Sequence, residues 1–326
     1  MIITEELINN FLEYKRNEGL KEKTLYRFRY DFMAFYRWLC ENKKDRIECI
    51  DKLTIEEYKH HLFSLWGSKK SRYWLQDSLC SWTINQKLLV IKHFFEYMNY
   101  IYDIGIDYRK IKLNKVKYRT GDYFTEEEIR EILRTIDKTE KYRINQLRFK
   151  LIVLVCFVSG SRLNELRQIT IKGIKNWKQK IVWKWDKERY LFFNRECIEV
   201  LDEYIEEQQK PIPRLWRIVK RINNYNDYNN YAICSHWYNS FWDMIWKQAI
   251  TEMFKKLNKY LNWEKIITCH TLRHSFATFM VDHWTNVFHL KELMGHEKIN
   301  TTAWYYHRNW NILYTEQQQV FSQLVI

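Results

Sequence analysis

The feature that most constrains this chain is the spacing of its apolar residues, which is helical over long stretches. Leu25, Phe28, Phe32, Phe35, Tyr36 and Leu39 recur at three- and four-residue steps, so one helix carries them on one face. Ile84, Leu88, Ile91, Phe95 and Met98 repeat the pattern, and residues 51–65 read as a shorter helix between the two. Thr24 and Thr83 stand where the long helices are expected to be capped. An apolar helix over 149–158 feeds a turn at Arg162, and helices are expected again from 195 to the end. Strand-like alternation appears at Ile181, Trp183 and Trp185. Tyr190 to Phe193 follow after Asp186-Lys187-Glu188-Arg189, so this segment reads as a β-hairpin. Residues 207–235, rich in Asn, Tyr and Arg, read as an irregular surface insertion. The expected fold class is mainly α with a small β-sheet.

The 326 residues have room for two domains. The helical pattern breaks over 103–122, where Arg109, Lys110, Lys112, Lys115, Lys117 and Arg119 form a basic stretch ending at Gly121. Thr125-Glu126-Glu127-Glu128 then has the form of a capped, acid-rich helix start. The expected division is a helical domain over 1–108, a basic linker over 109–121 and a second domain over 122–326. Lys and Arg number 54 against 40 Asp and Glu, a net charge of +14 that favours a polyanionic partner. Arg27, Arg29, Lys87 and Lys92 on the polar helix faces, with Lys115 and Lys117 in the linker, are candidates to meet phosphates; for the helix-face residues a merely solvated face fits equally well. The aromatic stripe itself reads as core. No apolar run approaches the ~20 residues of a spanning helix. The seven cysteines are scattered without a CxxC pair, which suits a reducing cytoplasm. Cys269 beside His270 reads as a buried thiol, because no second metal ligand lies at a useful spacing.

Three short segments carry chemistry. The chain reads Ser159-Gly160-Ser161-Arg162-Leu163-Asn164-Glu165-Leu166, later His270-Thr271-Leu272-Arg273, then Gly295-His296 followed by Thr301-Thr302-Ala303-Trp304-Tyr305. Cutting a phosphodiester needs a nucleophile, cations on the non-bridging oxygens and an acid for the leaving oxygen. Arginine suits the clamp, because its planar fork binds two oxygens and stays charged. Arg162 sits at an expected helix start, where backbone N–H groups also favour an anion, and an ion pair with Glu165 is the plainer reading of it. His270 and Arg273, three apart, share one helix face. Tyr305 and Tyr306 compete for the role of nucleophile on spacing alone.

Taken together, these segments resemble the tyrosine recombinases of the phage-integrase and Xer type, and the resemblance covers most of the chain. It implies a helical core-binding (SAM-like) DNA-binding domain over 1–108 and an α+β catalytic domain over 122–326. Together they would clamp a duplex, with a C-terminal helix, Tyr314 to Ile326, docking on a neighbouring subunit or on its own domain. In the family the tyrosine nucleophile follows the Gly-His histidine by nine residues, which selects Tyr305. The hairpin sequence Trp183-Lys184-Trp185-Asp186-Lys187-Glu188-Arg189 puts Lys184 in the general-acid role, with Lys187 as the alternative. The implied mechanism has Arg162 and Arg273 holding the phosphate, Tyr305 attacking, His270 assisting as base, His296 hydrogen-bonding the phosphate and Glu165 orienting its neighbours. The product is a 3′-phosphotyrosine, which a second strand's 5′-hydroxyl resolves, so neither cofactor nor metal is called for. The expected partners are double-stranded recombination sites, held by a homotetramer on two duplexes, with a partner recombinase left open. The length leans toward an Xer-like or mobile-element enzyme in the cytoplasm. A catalytically inactive DNA-binding factor or a type IB topoisomerase would share much of this chemistry. Trp183, Trp185 and Trp284 stand where the family commonly has glycine. With 7 Gly against 15 Trp, this is the pattern expected if UGA codons meaning glycine were read as tryptophan.

Overall fold

The computed structural model describes residues 1–65, 79–115, 122–182, 188–209, 231–234, 244–283 and 285–306. The chain divides into two compact units, Met1–Arg119 and Thr120–Ile326.

The first unit contains α1 (Glu5–Asn17), α2 (Glu22–Glu41), α3 (Lys52–Ser64) and α4 (Ser81–Tyr102). The aromatic stripe of α2 enters the core: Phe28, Phe32, Phe35 and Leu39 are buried with Phe11, Phe94 and Phe95. Phe32 and Phe94 approach to 4.2 Å between ring centroids, and Phe11 meets Phe94 edge-on at 5.4 Å. Asp51 caps α3 by accepting from the Thr54 amide at 2.8 Å. The two expected threonine caps are not caps. α2 begins at Glu22 behind Lys21 and α4 at Ser81 behind Cys80, which places Thr24 and Thr83 inside the first turns. The residues ahead of them, Glu22 and Lys23 in α2 and Trp82 in α4, are helical but exposed.

The second unit contains α5 (Glu126–Thr139), α6 (Arg143–Ser159), α7 (Leu163–Leu166), α8 (Ile171–Lys175), β1 (Lys178–Val182), β2 (Glu188–Phe192), α9 (Arg195–Gln209), α10 (Lys247–Leu261), α11 (Cys269–Asp282), α12 (Val287–Met294) and α13 (Ile299–Tyr306). The fold is thus mainly α with a small sheet. Thr125 and Glu128 form the expected reciprocal capping box on α5. α6 is apolar nearly all round and lies at the centre, packed on α5, α9 and α11. The hairpin pairs β1 with β2 antiparallel, Ile181 opposite Arg189 and Lys180 opposite Tyr190. Its parity buries Ile181, Arg189 and Leu191 and exposes Lys178, Lys180, Tyr190 and Phe192. Trp183 and Trp185 lie outside the described residues. The segment read as irregular from 207 begins in helix, since α9 runs to Gln209; beyond it Tyr231 bridges Thr170 and Cys234 bridges Met244.

Two helix ends carry glycine in the left-handed region, where a side chain is strained. Gly160, with φ +57°, ends α6, and a Cβ there would lie 2.4 Å from the Phe276 ring. Gly295, with φ +58°, ends α12, and a Cβ there would meet Arg189 Cδ at 2.7 Å. Trp177, in the turn between α8 and β1, has φ +63° and an exposed side chain. That conformation is an outlier for a bulky residue. All seven cysteines are free thiols, with Cys156, Cys197, Cys234 and Cys269 buried. Among the described residues no helix is long and apolar enough to cross a membrane.

Candidate active site

The site is built where the ends of α6 and α12 meet the starts of α7 and α11. A helix end leaves carbonyl groups without intrahelical partners, and these carry partial negative charge. Here they are turned on arginines. Gly160 O accepts from Arg273 Nη1 at 2.5 Å and from Arg189 Nη2 at 3.4 Å. Gly295 O accepts from Arg162 Nη2 at 3.0 Å, Met294 O from Arg273 Nη2 and Leu293 O from Arg189 Nη1. A Cβ at Gly295 would press on Arg189, and one at Gly160 on the Phe276 ring, so both helix ends favour glycine.

One carboxylate binds the group together. Glu165, buried on α7, accepts from Arg162 Nη1 at 2.9 Å and from Arg189 Nη2 at 2.5 Å. It also accepts from the Arg162 backbone N–H at 2.7 Å and from Arg189 Nε at 3.4 Å. Burial pushes the Glu165 pKa up, but the bond and charge of Arg189 and the amide and charge of Arg162 outweigh it and hold the carboxyl below its ordinary range. The anion-binding role expected of the free backbone at Arg162 is therefore not available: α7 is four residues long and Glu165 has taken that N–H.

Arg273 is buried at 4 % exposure, whereas the Arg162 side chain retains 28 %. Burial first, then the charges of Arg162 and Arg189, bring the Arg273 pKa down to about 9, still charged at neutral pH. Three guanidiniums crowd one carboxylate, a surplus of positive charge that an anion would relieve. The Arg273 bonds to Gly160, Met294 and His296 engage three of arginine's five N–H donors.

His296 lies between this cluster and α13. Its Nε2 is 3.2 Å from Arg273 Nη2 and its Nδ1 2.9 Å from the buried Thr302 hydroxyl. Arginine can only donate, so Nε2 is the acceptor and the proton of the neutral ring sits on Nδ1, facing Thr302. Burial and the charges of Arg273, Arg162 and Arg189 press the His296 pKa down to about 3. Tyr305 is buried on α13, with its hydroxyl 2.6 Å from His274 Nδ1. His274 Nε2 in turn lies 2.9 Å from Nε2 of His270, the more exposed member of the row. Burial within the site and the charges of Arg273 and Arg162 lower the His270 pKa.

Arg162, Glu165, Arg273 and His296 are therefore brought into one network, and Tyr305 and His270 are joined through His274. Lys184 and Lys187 lie outside the described residues, as do Lys117 and the segment from Tyr314 to Ile326; of Tyr306 only the backbone is described. In the first unit Arg27, Arg29 and Lys115 are exposed, Arg29 donating to Asn9, and Lys92 is half-buried. Lys87 is ion-paired with the buried Asp31 at 2.6 Å. A cleft of about 730 Å³ opens beside the network, lined by Arg189, Tyr190, Phe192, Gly295 and His296 among others.

Sequence reasoning passed over two members of this network. Arg189 appeared only as part of the hairpin turn, although its parity with Leu191 marked it as inward-facing. His274 follows His270 by four residues, which places both on one helical face.

A family model described as the phage integrase family matches residues 122–311. Among curated proteins, the chain is 26 % identical to tyrosine recombinase XerD of Staphylococcus haemolyticus, over 98 % of this chain and 98 % of that protein. It is 25 % identical to tyrosine recombinase XerC of Lactobacillus delbrueckii subsp. bulgaricus, covering 97 % and 99 %. Among solved structures, the XerH site-specific recombinase bound to palindromic difH substrate superposes with a TM-score of 0.66 at 19 % identity, covering 95 % of this chain and 83 % of that one. The Tn1549 transposon integrase with transposon right end DNA gives 0.67 at 18 % identity, covering 98 % and 99 %. The fold, the matched domain and the end-to-end similarity to Xer proteins agree: this chain belongs to the phage integrase family of tyrosine recombinases.

Proposed function

We propose that this protein is a site-specific recombinase of the Xer-like or mobile-element kind, which cuts and rejoins double-stranded DNA through a 3′-phosphotyrosine. The observation that carries the reading is the convergence of Arg162, Arg273, His296 and Tyr305. These residues come from separate segments, yet they meet at one surplus of positive charge beside a tyrosine hydroxyl. Arg162 and Arg273 hold the scissile phosphate and stabilise the charge that builds in the transition state. Glu165 and Arg189 brace the clamp from behind. Tyr305 is the nucleophile, His270 assists in removing its proton, and His296 supports the phosphate-binding side. Lys184 protonates the leaving 5′ oxygen, with Lys187 as the alternative. The unit over 1–108 and the linker over 109–121 bind the duplex, with Arg27, Arg29, Lys92, Lys115 and Lys117 as phosphate contacts; Lys87, held by the buried Asp31, is not among them. The assembly is a homotetramer on two duplexes.

The test is a nicked suicide duplex carrying the DNA that flanks the native gene. Wild type and Tyr306→Phe are expected to form a covalent protein–DNA band and Tyr305→Phe none. A band lost only in Tyr306→Phe moves the nucleophile by one residue. Tight binding without a band in any of the three proteins makes the chain a non-catalytic DNA-binding protein. Relaxation of any supercoiled plasmid, without exchange between two sites, makes it a topoisomerase.

A further inference from the structure

Tyr305 is buried and its hydroxyl is hydrogen-bonded to His274, so its proton needs a route away if the oxygen is to become a nucleophile. His274 Nδ1 is 2.6 Å from that hydroxyl, His274 Nε2 is 2.9 Å from His270 Nε2, and His270 opens to solvent. The two imidazoles meet edge to face with centroids 4.4 Å apart, and they sit four residues apart on α11, whose start is pinned by the Thr268–Thr271 capping box. The row is directional. A phenol donates to an imidazole nitrogen that lacks a proton, so a neutral His274 carries its proton on Nε2 and offers it to His270.

We propose that His274 is a further catalytic residue, the first acceptor of the nucleophile's proton, and that it relays to His270. The inference rests on the reading of Tyr305 as nucleophile. As the bond from the Tyr305 oxygen to phosphorus forms, the phenolic O–H breaks and its proton passes to His274 Nδ1. The Nε2 proton of His274 passes to His270 Nε2. His274 ends neutral in its other tautomer and His270 ends as imidazolium. The electron pair of the breaking phosphorus–oxygen bond leaves with the 5′ oxygen, which takes its proton from the general acid. The lowered pKa of His270 means that it is unprotonated at neutral pH and ready to accept.

Two measurements test the relay. The first needs no DNA: nitrogen NMR of the histidine rings in the full chain. His274 is expected to be protonated on Nε2 and to accept a hydrogen bond on Nδ1, with the Nδ1 signal moving in Tyr305→Phe. A ring protonated on Nδ1 overturns the relay. The second is the single-turnover rate of adduct formation on the nicked flanking duplex. His274→Asn keeps an acceptor near the phenol but cannot pass a proton on. It is expected to bind the duplex as wild type does and to cleave about 10²-fold more slowly, the lower range of a general base's contribution. Ring-fluorinated tyrosine at position 305, a more acidic phenol, is expected to restore at least ~10-fold of that loss, since it needs less help to ionise. Cleavage by His274→Asn at the wild-type rate, or a slow variant that the acidic phenol does not rescue, leaves His274 a structural support and ends the proposal. Wild type that forms no adduct overturns the recombinase reading itself, a different result from either.

Discussion

At the scale of single residues, the site is a problem in placing charge. Glu165 and His296 answer it in opposite ways: the carboxyl stays ionised between two arginines, and the imidazole stays neutral among three. Both have folded pKa values below their ordinary ones, so both contribute stability that is present at high pH and lost on acidification. For His296 the loss runs as pH falls from the ordinary 6.5 toward about 3. For Glu165 it begins as pH drops below the ordinary 4.5. Urea unfolding followed across pH is expected to show stability declining from about pH 6.5 downward. His296→Asn should reduce the upper part of the decline, which it shares with His270, and Glu165→Gln the lower part. A profile that the two variants leave unchanged would mean that these groups do not govern it. Trp177 is the other single-residue case. A left-handed conformation costs an L residue about 1–2 kcal/mol, and the exposed ring buries little in return. Trp177→Gly is expected to raise stability by about 1 kcal/mol in the same unfolding assay, even though glycine loosens the unfolded chain.

At the scale of elements, the arginine cluster depends on where two helices stop. α6 and α12 both end on a left-handed glycine, and their final carbonyls hold Arg162, Arg189 and Arg273. Gly295→Ala would place a methyl group against Arg189 and strain the backbone as well. It is expected to lower stability by more than ~1 kcal/mol and to reduce adduct formation sharply, because Arg189 and the Gly295 carbonyl bracket Arg162. Unchanged adduct formation would show that the clamp does not rely on this helix end. The hairpin contributes through parity. Arg189 lies on the buried face with Ile181 and Leu191, so a one-residue slip in register would turn it to solvent and leave Glu165 with half its partners.

For the molecule as a whole, a net charge of +14 favours a polyanionic partner, and the number of phosphates neutralised sets how such binding responds to salt. A protein that neutralises six or more phosphates loses on the order of 10³-fold in affinity between 50 and 200 mM salt. Binding to the flanking duplex, measured by fluorescence anisotropy, is expected to fall at least that steeply; a shallow slope would count against the two units gripping one duplex. Composition offers a second whole-chain test. The misread-codon explanation of the Gly and Trp counts was drawn from Trp183, Trp185 and Trp284, which lie outside the described residues. Trp177 adds an independent case, because its backbone adopts the conformation that glycine takes at no cost. The intact mass of the protein from its native host is then expected to fall below that of the 15-tryptophan chain. A mass matching all 15 tryptophans ends the explanation.

The amino-acid sequence by itself determined the fold class and singled out several of the residues that the structure brings together. Helical periodicity is a local property that burial of one face enforces, so the stripes of α2 and α4 were legible as core. The same holds for the capping box at Thr125, whose two partners are three residues apart. The motifs around Arg162, Arg273, His296 and Tyr305 were legible because each is contiguous. Helix starts were less so: Thr24 and Thr83 carry a capping signal, yet both lie inside the first turn of their helices. Only the tertiary structure decided what those residues touch. It turned His296 toward Arg273, gave the Arg162 backbone N–H to Glu165, drew Arg189 behind the clamp and set His274 between Tyr305 and His270. The contacts of His296 with Arg273, Arg189 with Glu165 and Tyr305 with His274 span many residues of chain, whereas those of the Arg162 amide with Glu165 and of His274 with His270 are local. Their energies depend on burial and on the direction of a helix end, and neither quantity is written in any local stretch of the sequence.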